Sequence, residues 1–213
     1  MSYNVDERYK SLFKTIRINI SITCFNSALC GSVIWLLLGA YALPIYSGLL
    51  KFAMCIGDLY RCKLQRDIAE YSIEKLNRRY LQVQYIETTV AVLAYVLIAY
   101  DVHKGMVIML FSTFLSSITR AYFISYSTKI DDVLTKSNVV NRTRYYASID
   151  KIANIYSTAG NLGNSLIFLV SAKYNINAVI VYKILAVVYA VVKIIDLICS
   201  IIEANKIKQV LKD

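Results

Sequence analysis

The stretch Glu70-Tyr71-Ser72-Ile73-Glu74-Lys75-Leu76-Asn77-Arg78-Arg79 is a charged knot between long apolar runs. Three of its last five residues are Lys or Arg, and an excess of basic residues beside apolar spans marks the cytoplasmic side of a membrane protein. Reading the knot this way fixes the orientation of everything on either side of it.

The composition agrees with a membrane reading. The chain has 213 residues, of which 57% are hydrophobic and 18% charged, with seven Gly, a single Pro and a mean hydropathy of +0.50. That is not the balance of a soluble globular domain. The formal charge of +10 raises the question of nucleic acid. Its Lys and Arg, however, fall in the gaps between apolar runs rather than on one solvated face, so topology accounts for them and no nucleic-acid partner is expected.

Working outward from the knot, an all-α, polytopic chain of six transmembrane helices emerges. Residues 1–17 form a cytoplasmic segment with Arg8, Lys10, Lys14 and Arg17, and residues 203–213 a cytoplasmic tail with Lys206, Lys208 and Lys212. Between them, 18–202 is the bundle. Its first span is Ile18 to Leu43, apolar apart from uncharged Asn, Ser, Thr and Gly, and a span needs about 20 such residues. Ala40-Tyr41-Ala42 resembles a signal-peptide cleavage site, but the apolar run exceeds the roughly 7–15 residues of a signal core and further spans follow. Pro44 marks an outer turn.

The second span, from Ile45, carries Lys51 and Asp58, then Arg61, Lys63, Arg66, Asp67 and Glu70 in quick succession. Two readings stay open: a short span ending near Tyr60 with an amphipathic cytoplasmic continuation, or one long helix with its charges on a face hidden from lipid. Asp58 and Arg61 are three apart, on one helical face, where they can pair. The third span is Tyr80 to Tyr100, with Glu87 near its start. Asp101, His103 and Lys104 then make a tight outer turn, and Gly105 to Ser125 is the fourth span. A long inner segment of mixed charge, 126–151, leads to a fifth span over 152–172 and, after an outer turn at 173–177, a sixth over 178–202. Assigned so, nearly all Lys and Arg lie inside, Lys104 and Lys173 lie outside, and Lys51 and Lys183 sit near the outer face. Both termini are then cytoplasmic and the location is the cell membrane.

With this topology the knot gains a likeness. Glu74-Lys75-Leu76-Asn77-Arg78-Arg79, placed after the second helix, resembles the signature between helices two and three of the major facilitator superfamily, G-x-x-x-D-R-x-x-R/K-R/K, nearest its bacterial drug and macrolide efflux branch. Ser157-Thr158-Ala159-Gly160-Asn161-Leu162-Gly163-Asn164-Ser165 is similar to the small-residue-rich stretch of that family's fifth helix, where Gly160 and Gly163 would allow close helix approach. The resemblance covers about 46–202. It implies half of a major-facilitator-type bundle, with Glu74 in place of the family's acidic residue, Lys75 of its Arg, and Arg78 and Arg79 of its basic pair, forming charge-assisted contacts that break and reform between states. Plain topogenic charge is the competing account of the same residues. Glu70 stands where the family has Gly, Asn164 where it has Pro, and no Arg of the fourth helix precedes Arg120.

Six helices are half of a complete transporter of that family, and alternating access needs two repeats. The resemblance therefore implies export of a drug or small peptide by a homodimer or with a second six-helix membrane protein. The alternative is a membrane immunity or self-protection protein that does not transport, or an accessory subunit of an exporter. A third reading is a remnant without activity. Lys193 and Asp196, three apart in the sixth span with Glu203 beyond, are a further candidate intramembrane pair. The cysteines at 24, 30, 55, 62 and 199 and the lone His103 show no metal spacing, so no metal or cofactor is expected. The sequons at Asn19 and Asn141 are read as chance matches. No nucleophile, base and orienting group come together, so no enzyme is expected.

Overall fold

A computed structural model describes residues 44–136 and 177–211, most positions between 11 and 34, and the single positions 155, 162 and 166. Every described position from 11 to 34 is helical, and we label this segment α1. It is followed by α2 (Pro44–Asp67), α3 (Ile73–Tyr100), α4 (Val102–Lys136) and α5 (Ala178–Leu211). Among the described residues there is no strand. The fold is all-α, and three helices are long and apolar enough to cross a membrane: α3, the Val102–Ile130 part of α4, and the Val179–Val210 part of α5. The fifth span expected over 152–172, with Gly160 and Gly163, lies outside the described residues apart from three isolated positions.

The helix ends follow from local chemistry. The Ser72 hydroxyl accepts from the Lys75 backbone N–H at 3.3 Å, which closes the first turn of α3, and Glu74 sits in that turn where the helix dipole favours an anion. The charged knot is thus divided: 68–72 make the turn, while Glu74 to Arg79 are already helical. At the other end Asp101 serves two helices. Its N–H donates to Leu97 O at 2.7 Å, and its carboxylate accepts from the Lys104 N–H at 3.2 Å. Gly105 lets this reversal close: a Cβ there would stand 2.5 Å from Ile98 N. The turn between α3 and α4 is therefore one residue, and His103 and Lys104 belong to α4.

α2 runs unbroken past Tyr60 to Asp67 and is not among the three span-length apolar helices. Leu50, Gly57 and Ile68 are buried and Ala53, Arg61 and Leu64 half-buried, which gives one stripe at helical spacing. Lys51, Asp58, Lys63, Arg66 and Asp67 are exposed. Of the two readings left open for this segment, the helix is unbroken, but these charges are exposed rather than gathered on a hidden face. The stripe packs on α4, and at Gly57 an added Cβ would run into the Ser117 side chain. Tyr60 lies against Phe114 with ring centroids 5.7 Å apart. At the inner end Lys129 Nζ donates to Tyr71 O.

α1, α3 and α5 meet along a seam with a regular 3–4 spacing. Asn77, Tyr80, Gln84, Glu87, Ala91, Ala94 and Ile98 are buried on α3. On α5 the matching set is Tyr182, Ala186, Tyr189, Lys193, Asp196, Ser200, Glu203 and Ile207, buried save for half-buried Lys193. Leu12, Asn19, Asn26 and Val33 recur every seventh residue on α1 and are all buried. This is the spacing by which helices interlock with small crossing angles, and the alanines let the backbones approach. Cys30 Sγ lies 2.9 Å from Tyr95 Oη, Asn77 Nδ2 reaches Ala204 O at 3.5 Å, and Asn19 reaches Glu203. These contacts run α5 antiparallel to α1 and α3.

Candidate functional site in the bundle core

The seam is layered. Toward the Asp101 end lies an apolar cluster of Val33, Leu50, Ala94, Tyr95, Ile98, Met106, Met109, Tyr182, Ala186 and Tyr189. Toward the Ser72 end lies a second, of Leu12, Ile16, Ile68, Leu76, Tyr80, Tyr126, Ile130 and Ile207. Between them the same seam positions are filled by Asn19, Asn26, Gln84, Glu87, Lys193, Asp196, Ser200 and Glu203. Glu87 is about 20 Å from either end of α3 at the usual helical rise, at the middle of a helix long and apolar enough to cross a membrane. A charge at such depth is costly unless paired or hydrated, which makes these groups the candidate site.

Lys193 Nζ lies 2.7 Å from Glu87 Oε2 and 3.9 Å from Asp196 Oδ2. The angle to Glu87 is outside hydrogen-bond geometry, but attraction between charges at this distance does not require alignment, and we treat the contact as an ion pair. Glu87 and Asp196 are 2% and 3% exposed. Asp196 also accepts from Thr23 Oγ1 at 2.7 Å and, weakly, from Asn26 Nδ2 at 3.5 Å. Thr23 is exposed and covers this carboxylate from the rim of the seam.

A second chain of bonds ends on Glu203. Asn19 Nδ2 donates to Glu203 Oε2 at 2.6 Å, Ser200 Oγ donates to Asn19 Oδ1 at 3.4 Å, and Gln84 Nε2 donates to Ser200 Oγ at 2.8 Å. Tyr80 Oη lies 3.3 Å from the same serine oxygen. Lys206 Nζ, one turn beyond, reaches Ser11 Oγ and Thr15 Oγ1 at 3.1 and 2.7 Å. The layer thus joins one ammonium and three carboxyl groups to a set of amides and hydroxyls. Chemically it can hold a cation in the membrane interior and let Lys193 change partners between Glu87 and Asp196.

The residues singled out from the sequence fall in three places. Lys193 and Asp196 are in the layer. Asp58 and Arg61 pair at 3.1 Å at the edge of the α2 stripe, with Asp58 exposed and Arg61 half-buried. Glu70, Glu74, Lys75, Arg78 and Arg79 are exposed at the start of α3, and among the described residues no ion pair joins Glu74 to Arg78 or Arg79. Lys75 Nζ sits 3.4 Å over the Tyr71 ring, and Arg79 reaches Gln82 Oε1 at 3.5 Å. Asn77, on the opposite side of the helix, is buried in the seam. The part of Glu87 and the polar groups of α1 was missed. A seven-residue recurrence of polar residues inside apolar spans was the signal that could have found them. Comparison with protein-family models, curated proteins and solved structures finds no match to this chain.

Proposed function

We propose that this chain is a six-span protein of the cell membrane, with both termini cytoplasmic, that takes part in export of a drug or small peptide as one half of a two-half assembly. The half is of the major-facilitator type, completed by a second copy or by another six-helix protein. The observation that carries this reading is Lys193 held between Glu87 and Asp196 in the middle of apolar helices. A charged layer of this kind loses stability relative to an apolar core of the same volume, so its presence calls for a task, and ion-linked movement is the task such groups perform in membranes. The exposed Glu74, Arg78 and Arg79 are placed where a second half could meet them.

The test is ethidium accumulation in cells expressing the chain, compared with Glu87→Gln, Lys193→Met and the double variant Arg78→Gln/Arg79→Gln. Export predicts lower accumulation with the parent chain, abolished by an uncoupler and by the first two substitutions at unchanged protein level. Equal accumulation in all cells would refute it for this class of dye.

A second reading, membrane immunity or an accessory role in an exporter, is favoured by one observation. The polar layer is stopped at both ends by apolar clusters, and the motif charges make no ion pair with one another among the described residues. On this reading resistance to a peptide toxin survives an uncoupler.

A further inference from the structure

The hydrogen bonds of the polar layer have a direction, and it is set by the carboxylates. A carboxylate oxygen accepts, so the amide nitrogens of Asn19 and Asn26 are the atoms that donate to Glu203 and Asp196, and the oxygen of each planar amide beside them is left for another partner. Asn19 Oδ1 is then free to accept, and Ser200 donates to it. Ser200 in turn accepts from Gln84 Nε2. Three of these four bonds run from an amide nitrogen to an oxygen on α5, the Ser200–Asn19 bond runs the other way, and amide acceptors are left over. Asn26 Oδ1 and Gln84 Oε1 have no hydrogen-bond partner, in residues that are 4% and 3% exposed. Two buried carbonyl oxygens without a donor are an unusual cost in a finished core.

Charge runs the same way. Lys193 stands against Glu87 and Asp196, two carboxyl groups for one ammonium. Lys193 is close to Glu87 at 2.7 Å and remote from Asp196 at 3.9 Å. On its α1 side, among the described residues, Asp196 accepts from the neutral donors of Thr23 and Asn26. A neutral ligand would satisfy the idle oxygens and leave the charge; a cation answers both shortages.

We propose that the α1/α5 seam binds a monovalent metal cation at Asp196, with the idle Oδ1 of Asn26 as a second oxygen ligand and Lys193 held away on Glu87. Among the described residues no three His, Cys, Asp or Glu converge as a metal cluster. The donor set is amide and carboxylate oxygen, which suits a hard ion of low charge rather than a transition metal. The cation and the Lys193 ammonium repel each other, so occupancy at Asp196 strengthens the hold of Glu87 on Lys193. This inference rests on the reading of the layer as the working site, and its test is made without flux.

The experiment is thermal unfolding of the purified chain in detergent, titrated with NaCl, KCl or choline chloride at constant ionic strength and pH. A ligand that binds only the folded state raises the unfolding temperature with its concentration. The expected result is a saturable rise of a few degrees with Na⁺ or K⁺ and none with choline. Asp196→Asn, which keeps the shape, abolishes the rise, and Asn26→Leu moves its midpoint at least tenfold higher. Identical unfolding in all three salts overturns the proposal, as does a metal response undiminished in either variant. Should Asp196→Asn not fold, the parent titration and Asn26→Leu still decide. A cation response in a chain without dye export removes the transport reading and keeps the site; export without a cation response does the reverse.

Discussion

Removing Lys193 alone should cost more than removing Lys193 and Glu87 together. Glu87 is buried and Lys193 nearly so, at 3% and 12% side-chain exposure, and their charged atoms are 2.7 Å apart. At an effective dielectric constant of about 20 their attraction is roughly 6 kcal/mol. Most of that offsets the loss of solvation of the two charges, so the pair itself adds little net stability. Lys193→Met strands the Glu87 carboxylate in a dry seam, and breaking such a pair costs about 3–5 kcal/mol. Glu87→Leu strands the ammonium at a similar cost, softened by Asp196 3.9 Å away. With both replaced no charge is stranded, and the double variant should unfold within about 1 kcal/mol of the parent. The assay is a double-mutant cycle on chemical unfolding in mixed micelles. Single losses that simply add in the double variant would refute the pairing, since residues that do not interact give additive effects.

Other expectations follow from packing and from the outer turn. Gly57→Ala should be tolerated at a loss of about 1–3 kcal/mol, because the obstruction is the Ser117 side chain, and Ser117→Gly should restore it. Gly105→Ala should be worse and have no such rescue, because its Cβ would strike the Ile98 backbone at 2.5 Å; unfolding temperatures of the two variants, with and without Ser117→Gly, check this. The Lys104 backbone N–H and side chain hold the Asp101 carboxyl below its usual range. A lowered folded value means the contribution is complete above the unfolded value near 3.9 and lost as pH falls through the lowered one. Asp101→Asn should remove that part of the acid dependence below about pH 4 while leaving neutral-pH unfolding cooperative. Arg78→Gln and Arg79→Gln, at exposed positions, should leave the unfolding midpoint within about 0.5 kcal/mol of the parent.

Legibility in the sequence divided along the range of the interactions. Contacts three residues apart on one helix could be read directly, and Asp58–Arg61 and Lys193–Asp196 both close within 4 Å, at 3.1 and 3.9 Å. The apolar runs of α3, α4 and α5 were equally plain, because crossing length needs only a count. Their ends were not: α3 begins at Ile73 rather than Tyr80, since Ser72 supplies a cap that hydropathy does not register. The partner of Glu87 was out of reach, because the register between α3 and α5 depends on how Ala91, Ala94, Ala186 and Ala190 pack rather than on any local pattern. Gly57 was passed over for a similar reason, its meaning residing in Ser117 on another helix. For Arg78 and Arg79 the sequence offered a relay, and the helix places them on the exposed side of a turn whose buried side is Asn77.

The layering of the seam also bears on how the protein is made. Asn19 and Glu203 are separated by 184 residues, so on the membrane reading proposed above α1 waits for α5. What waits is mostly amide and hydroxyl, groups a solitary helix can carry into the bilayer at modest expense. Two of the three carboxyl groups and the ammonium arrive with α5, when their partners are already in the membrane. Only Glu87 must enter early and unaccompanied. If α3 crosses a membrane as proposed, synthesis has a vulnerable interval between its insertion and the arrival of Lys193, in which Glu87 lacks its partner.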